Sequence, residues 1–226
     1  RRVETSKGWI FLSPLIAVFL TLLSGVVIFA LMGKDPWLAL YTFFVQPLMT
    51  IFGLTELIVK ATPLVLIAVG LSIGFKANVW NIGAEGQFTM GAIFGGGAAL
   101  FFYNQDSFLV LPVVLGMGVL GGMVWGAIPA FLKTKFNANE ILTSLMLSYI
   151  AILVLSYLVH GPWRDPGGYN FPETQIFSNS AMLPIIIEDT RLNLGSFFSL
   201  AVVVASWVLL SRTILGFQLK VVGLAP

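Results

Sequence analysis

Cysteine is absent from the 226 residues, which excludes disulfides, thiolate metal ligands and thiol nucleophiles. Histidine occurs once, at His160, so the chain has no histidine cluster of the kind that holds a metal. Charge is scarce: Asp, Glu, Lys and Arg make up 10% of the chain, against about 25% in an ordinary soluble domain. The net charge of +2 is too small and too dispersed to point to nucleic acid. No G-x-x-x-x-G-K-[ST] loop is present, and Gly83-Ala84-Glu85-Gly86 is too short and lacks the lysine needed to cradle a nucleotide phosphate. The carboxylates are scattered, with no paired carboxylates on one face and no Ser/His/Asp grouping within reach by sequence. An enzymatic reading is therefore left without a supporting constellation, and neither a cofactor nor a metal is expected.

What is abundant is apolar surface. Hydrophobic residues reach 58%, with 19 Phe and 6 Trp, and the mean hydropathy is +0.94. These values predict an all-α polytopic membrane protein. A bilayer core of about 30 Å needs about 20 apolar residues in a helix. Trp9–Met32 satisfies this, and it is an anchoring span rather than a signal peptide, because its end offers no small-residue cleavage site. Further spans are expected at Glu56–Lys76, Gly86–Phe102 and Phe108–Leu132, from Asn139 onward, and at Gly195–Ser211, six in all. Trp37–Gly53 carries no charge but includes Trp37, Tyr41, Gln46 and Pro47, which suits an interfacial or re-entrant segment. If Lys133, Lys135, Arg212 and Lys220 share the cytoplasmic side with Arg1, Arg2 and Lys7, as the positive-inside rule requires, that segment does not cross. Lys133–Ala138 is then a short cytoplasmic loop. His160–Arg191, punctuated by Gly161, Pro162, Pro166, Gly167, Gly168, Pro172 and Pro184, is an irregular outer loop. His160 reads as an interface residue.

The chain is organised around Phe75–Gln87, a polar, glycine-punctuated island between two apolar runs. Asn78, Asn81, Glu85 and Gln87 fall within ten residues of one another. Gly83 and Gly86 are expected to break the helix there, giving an irregular stretch around residues 77–86. Non-helical backbone at membrane depth survives only where protein or a water-filled cavity receives it, so these four residues are candidates for a substrate pathway. A short cytoplasmic loop between two spans is the competing reading. Glu85 itself reads either as a pathway residue or as a structural one, capping a helix that begins near Gly86 or pairing with Lys76. Elsewhere, Gly118, Gly122 and Gly126 lie four apart and read as a helix–helix seam. Asn139 is a natural N-cap, and Glu140 suits the positive end of the helix that follows.

Phe75-Lys76-Ala77 followed by Asn81-Ile82-Gly83-Ala84-Glu85-Gly86-Gln87 resembles the signature of permease subunits of nucleoside or simple-sugar ABC importers. These are binding-protein-dependent relatives of the ribose and branched-chain amino-acid permeases. The resemblance extends through Lys60-Ala61-Thr62-Pro63-Leu64, the block Asn139–Tyr149, the outer loop Gly161–Gly168 and the segment Arg212–Leu224. In the second block Ser148 stands where the family often has Asn. The resemblance implies a single, partial transmembrane permease domain over residues 1–226, in a multi-pass cell-membrane protein with a cytoplasmic N-terminus. It would move a nucleoside or sugar-like solute. Its implied partners are an ATP-binding subunit, an extracytoplasmic solute-binding protein or lipoprotein, a second permease subunit and membrane lipid. Gly216, Phe217, Lys220 and Gly223 would lie beside the contact with the ATPase. Because Arg1 is not Met and the family continues past Pro226, the chain reads as a fragment. A stand-alone secondary transporter is the alternative, with Glu56, Glu85 and Glu140 as the carboxylates near membrane depth.

The topology makes a direct prediction. A cysteine placed at residue 170 of this cysteine-free chain should react with an impermeant thiol reagent in intact cells. Labelling only after lysis would reverse the orientation.

Overall fold

A computed structural model describes residues 7–224, and Arg1, Arg2 and Pro226 lie outside the described residues. The described residues are helical and irregular, with one isolated bridge between Ile185 and Asn193. Five helices are long and apolar enough to cross a membrane: α1 (Lys7–Leu31), α4 (Ile51–Lys76), α6 (Val110–Phe136), α7 (Glu140–His160) and α8 (Gly195–Arg212). The chain divides into two compact units, one of residues 1–59 with 187–192, the other of residues 60–186 with 193–226.

In the first unit α1 ends at Gly33, whose φ of 68° places it in the left-handed region that glycine adopts without a Cβ penalty. Lys34 N–H reaches back to Phe29 O and Gly33 N–H to Ala30 O, both at 3.0 Å, which satisfies carbonyls the helix end would leave bare. Asp35 then caps α2 (Pro36–Leu40), accepting from the Trp37 N–H at 2.9 Å and the Leu38 N–H at 3.3 Å. A π-helical turn, Tyr41–Val45, leads into α3 (Gln46–Met49). Pro47 has no N–H to give the carbonyl four residues back. The chain re-registers by one residue, with Gln46 N–H donating to Tyr41 O. From Pro36 to Met49 a helix spans only about 21 Å, too short to cross, as the sequence led us to expect. At Gly53 a Cβ would overlap the Pro47 carbonyl oxygen, so the reversal into α4 needs a glycine. This reversal starts α4 at Ile51, five residues before the expected Glu56. Near that start, Glu56 is clamped by the Arg191 guanidinium, Nε to Oε1 at 2.8 Å and a second contact from Nη2 to Oε2.

The second unit is built on α5 (Ala84–Phe101), the segment expected as a span at Gly86–Phe102. It falls short of the apolar character of the five spanning helices because it opens on Glu85 and Gln87 and is rich in glycine. Burial explains the difference. A helix enclosed by protein need not be as hydrophobic as one that faces lipid. One face, Gly86, Met90 and Ile93, meets α7, where Met90, Ile93 and Ala151 form a cluster backed by Phe94, Trp125, Val154, Leu155, Leu158 and Trp163. The other face meets α6 glycine to glycine. A Cβ on Gly91 would sit 3.0 Å from Gly118 O, and one on Gly95 3.2 Å from Val114 O. The Gly118/Gly122/Gly126 repeat is thus the seam its spacing predicts.

The loop after α6 is shorter than expected. α6 runs through Phe136, so the expected loop at 133–138 shrinks to residues 137–139, with Asn137 ending the helix at φ 52°. Lys133 and Lys135 stand in its last turn, where cations complement the helix dipole, and Lys133 Nζ meets Glu140 Oε1 at 2.5 Å. Asn139 caps α7 as expected, accepting from Ile141 N–H at 2.9 Å and Leu142 N–H at 3.3 Å. Residues 161–194 form the irregular loop their glycines and prolines predict, interrupted by a 3₁₀ turn at Asn179–Ala181 and the Ile185–Asn193 bridge. Trp163 packs its ring over Gly97 and Phe177 over Gly96, closing that end of α5.

Packing this close is testable at two glycines of α6. A Cβ at Gly121 would lie 2.6 Å from the Phe94 side chain and 2.9 Å from Met90 O, whereas one at Gly116 meets nothing within 4 Å. Gly121→Ala should therefore cost about 1–3 kcal/mol of stability by overpacking. Gly116→Ala should be neutral or gain up to about 1 kcal/mol from helix propensity. Melting temperatures of the two variants in detergent separate these outcomes.

Candidate functional site

The polar island lies between the end of α4 and the start of α5, and its residues divide into two groups. Asn78 adopts φ 56° and ends α4. Val79 N–H donates to Gly74 O at 2.9 Å and Asn78 N–H to Phe75 O at 3.1 Å, the paired bonds of a Schellman motif with asparagine in the left-handed position. Its side chain is exposed and accepts weakly from Trp80 Nε1 at 3.4 Å. The break in the helix is thus made by Asn78, not by Gly83 and Gly86 as expected.

The two glycines serve close approach. α5 begins at Ala84 rather than near Gly86, with Gly83 as its N-cap and no side-chain cap of its own. The missing cap comes from α7. Ser148 Oγ accepts the Gly86 N–H at 3.3 Å, and Ser144 Oγ accepts the Ile82 N–H at 3.2 Å. Each hydroxyl donates its own proton within its helix, Ser148 to Ser144 O and Ser144 to Ile141 O, both at 3.2 Å. Both serines are buried, at 5% and 2% exposure. A Cβ on Gly83 would sit 2.8 Å from Ser144 Cβ, and one on Gly86 would sit 2.7 Å from Ser148 Cα. Only glycine at both positions lets the backbone reach the hydroxyls. The sequence named Ser148 only as a departure from the family pattern and gave neither serine a role. The signal was there in their spacing of four, one helical turn, but nothing local says which element they face.

Asn81 and Gln87 are brought together. Asn81 Nδ2 donates to Gln87 Oε1 at 3.2 Å, while Asn81 Oδ1 accepts the Gly83 N–H at 2.9 Å. The Gln87 amide lies over Gly126, where a Cβ would come within 3.1 Å of Nε2. The pair forms the polar edge of an open cleft of about 530 Å³ between α4, α5 and α6, whose other walls include Leu66, Gly70, Phe88 and Met123. No charged side chain lines it. Glu85 is exposed, lies outside that lining and makes neither of the two ion pairs among the described residues, so it does not pair with Lys76. It sits in the first turn of α5, where its charge suits the helix dipole.

The other candidates lie on α9 (Ile214–Leu224), which follows α8 after a single extended residue, Thr213. Gly216 is buried in that corner, where a Cβ would overlap Leu209 O. Thr213 Oγ1 braces the corner by accepting the Gly216 N–H at 3.1 Å and donating to Leu209 O at 2.7 Å. Gly223 abuts the end of α4, its Cβ position overlapping the Lys76 carbonyl oxygen and lying 3.2 Å from Ala77 Cα. Phe217 and Lys220 are exposed. α9 therefore touches the chain one residue before Asn78 ends α4.

Residues 53–226 match the family described as branched-chain amino acid transport system permease component. Among curated proteins the chain is similar to the glucose ABC transporter permease protein TsgB13 of Haloferax volcanii, 35% identical over 97% of this chain and 60% of the relative. It is also similar to the nucleoside ABC transporter permease protein NupB of Lactococcus lactis subsp. cremoris, at 27% over 95% and 61%. A third relative is the guanosine ABC transporter permease protein NupP of Bacillus subtilis, at 28% over 94% and 61%. The chain thus spans about three fifths of the length of these relatives. No solved structure matches it.

Removing the hydroxyls should release the island's backbone. In Ser144→Ala with Ser148→Ala, the Ile82 and Gly86 N–H groups lose their acceptors, at about 1 kcal/mol for each hydrogen bond. Amide hydrogen exchange at residues 82–86 should accelerate while exchange in the middle of α6 stays unchanged. Unaltered exchange at 82–86 would mean that other groups hold the island.

Proposed function

The chain belongs to the family of branched-chain amino acid transport system permease components, and from that premise we propose that it is the membrane-spanning part of an ABC importer for a neutral, hydroxyl-rich solute. A nucleoside or simple sugar fits best. The observation that carries this reading is the Asn81–Gln87 amide pair on the edge of a cleft without charged walls. Paired amides present both donors and acceptors, which suits a solute bearing hydroxyls and ring nitrogens, and no fixed charge in the cleft balances a charged one. The cleft volume, about 530 Å³, lies within the range of about 300–1,000 Å³ usual for small-molecule sites. The relatives named for glucose, a nucleoside and guanosine support the same class.

In this reading the N-terminus and α9 are cytoplasmic, residues 161–191 face outward, and residues 1–226 belong to one permease domain of a cell-membrane protein. An outer solute-binding protein delivers the solute, a second permease subunit completes the passage, and a separate ATPase drives access from one side to the other. Gly216, Phe217, Lys220 and Gly223 transmit the ATPase's movement. Gly216 keeps the α8–α9 corner tight, Phe217 and Lys220 present the exposed side of α9, and Gly223 presses on the end of α4 beside the island. Arg212 and Lys220 also suit anionic lipid on the inner leaflet. A stand-alone transporter would need an ion site, yet Glu56 and Glu140 are held in ion pairs and Glu85 lies outside the cleft. The permease itself performs no covalent chemistry.

Uptake in the complete transporter tests this assignment. Asn81→Ala and Gln87→Ala should each lower ATP-dependent uptake about tenfold, the size of one lost hydrogen-bonding contact, at unchanged membrane abundance, while Glu85→Gln keeps both. Normal uptake by Gln87→Ala would remove the amide pair from the pathway. Uptake that persists without ATP or the ATPase would favour the stand-alone reading.

A further inference from the structure

Lys60 is the one charged residue of α4 between Glu56 and Lys76, about 13 Å along the axis from Ile51. It is exposed and takes part in neither ion pair among the described residues. An ammonium on a spanning helix is costly unless it faces water or a counter-charge. Helix geometry says which way it faces. Ile67 and Leu71 follow Lys60 by seven and eleven residues, spacings that place all three on one side of a helix. Both Ile67 and Leu71 line the cleft. Thr62, on the opposite side of α4, donates from Oγ1 to Ser196 Oγ of α8 at 3.2 Å, so α8 touches α4 on the side away from Lys60. The ammonium therefore stands two turns beyond the uncharged cleft, as the first charge along the face that walls it.

From this placement we infer that Lys60 is an electrostatic filter on the solute path, rejecting inorganic cations while a neutral solute passes. The inference rests on the cleft being that path, as proposed above. A fixed positive charge in a passage with low-dielectric walls raises the energy of any entering cation and leaves an uncharged solute almost unaffected. A polyhydroxylated solute needs a wide, hydrated passage, through which sodium, potassium or protons would otherwise leak. The uncharged cleft cannot prevent that by itself, since its amide oxygens coordinate cations as readily as hydroxyls.

The test uses the complete transporter in liposomes, with leak measured as sodium or potassium flux per transporter. Lys60→Glu should raise cation leak about tenfold, Lys60→Gln should raise it less, and Lys60→Arg should leave it low. In a parallel arm, Lys60→Cys places a thiol in these cysteine-free 226 residues and should react with a positively charged, impermeant methanethiosulfonate, read against the unsubstituted transporter. Unchanged leak in Lys60→Glu, with the protein monodisperse in detergent, would overturn the inference. So would an equal rise in Lys60→Arg. A Lys60→Cys thiol modified only by a lipid-soluble maleimide would also overturn it, as the signature of a lysine that reaches to the membrane surface along the lipid face. The importer reading fails separately, through absent ATP-dependent uptake in the wild type, and leaves the leak measurements readable.

Discussion

A chain buried in a membrane cannot leave backbone N–H groups without partners, and the turn from α4 into α5 is where that demand is hardest to meet. Seven residues leave helical geometry there, and α5 starts without a cap of its own. Ser144 and Ser148 resolve the problem from another helix, 62 residues away in sequence. Everything else at the island follows from reaching those hydroxyls. Gly83 and Gly86 must lack side chains, α5 must lie flat on α7, and Asn81 is then placed to meet Gln87 one turn into the helix. A buried N–H without an acceptor costs about 1–3 kcal/mol, a large share of the roughly 5–15 kcal/mol that holds a folded domain together.

The same economy governs the α5–α6 seam. Between helices in lipid there is little hydrophobic force to gain, so close van der Waals packing must supply the attraction. Glycines on both helices bring the backbones together, and the one long polar side chain at that seam, Gln87, lies over Gly126. α5 is therefore held on two sides, by hydroxyls and by glycines, and presents its amide between them. A less apolar helix is stable at this place because α6 and α7 cover two of its sides.

Charge is distributed with similar restraint. Glu56 and Glu140 are each committed to a basic partner at the end of a spanning helix, where the two charges steady the flanking loops. The cleft is uncharged, and Lys60 stands beyond it outside both ion pairs of the described residues. The contact of Gly223 with the end of α4 sets α9 against the chain within two residues of the left-handed turn at Asn78.

Composition, charge placement and local spacing pointed to the all-α membrane class, to six spans of which five are long and apolar enough to cross, to the short segment after α1, the cap at Asn139, the glycine seam and the position of the polar island. Each of these depends on residues near one another in the chain, through helix length, capping geometry or the spacing of small residues. The division of labour inside the island was decided by tertiary structure. Asn78, Asn81, Glu85 and Gln87 look equivalent in sequence, yet one ends a helix, one faces outward and two pair at the cleft. Which does which depends on where α6 and α7 lie, and no local pattern encodes that. Ser148 shows the same limit. Its hydroxyl could satisfy its own helix or another backbone, and only the approach of Gly86 within reach of Oγ settles the choice.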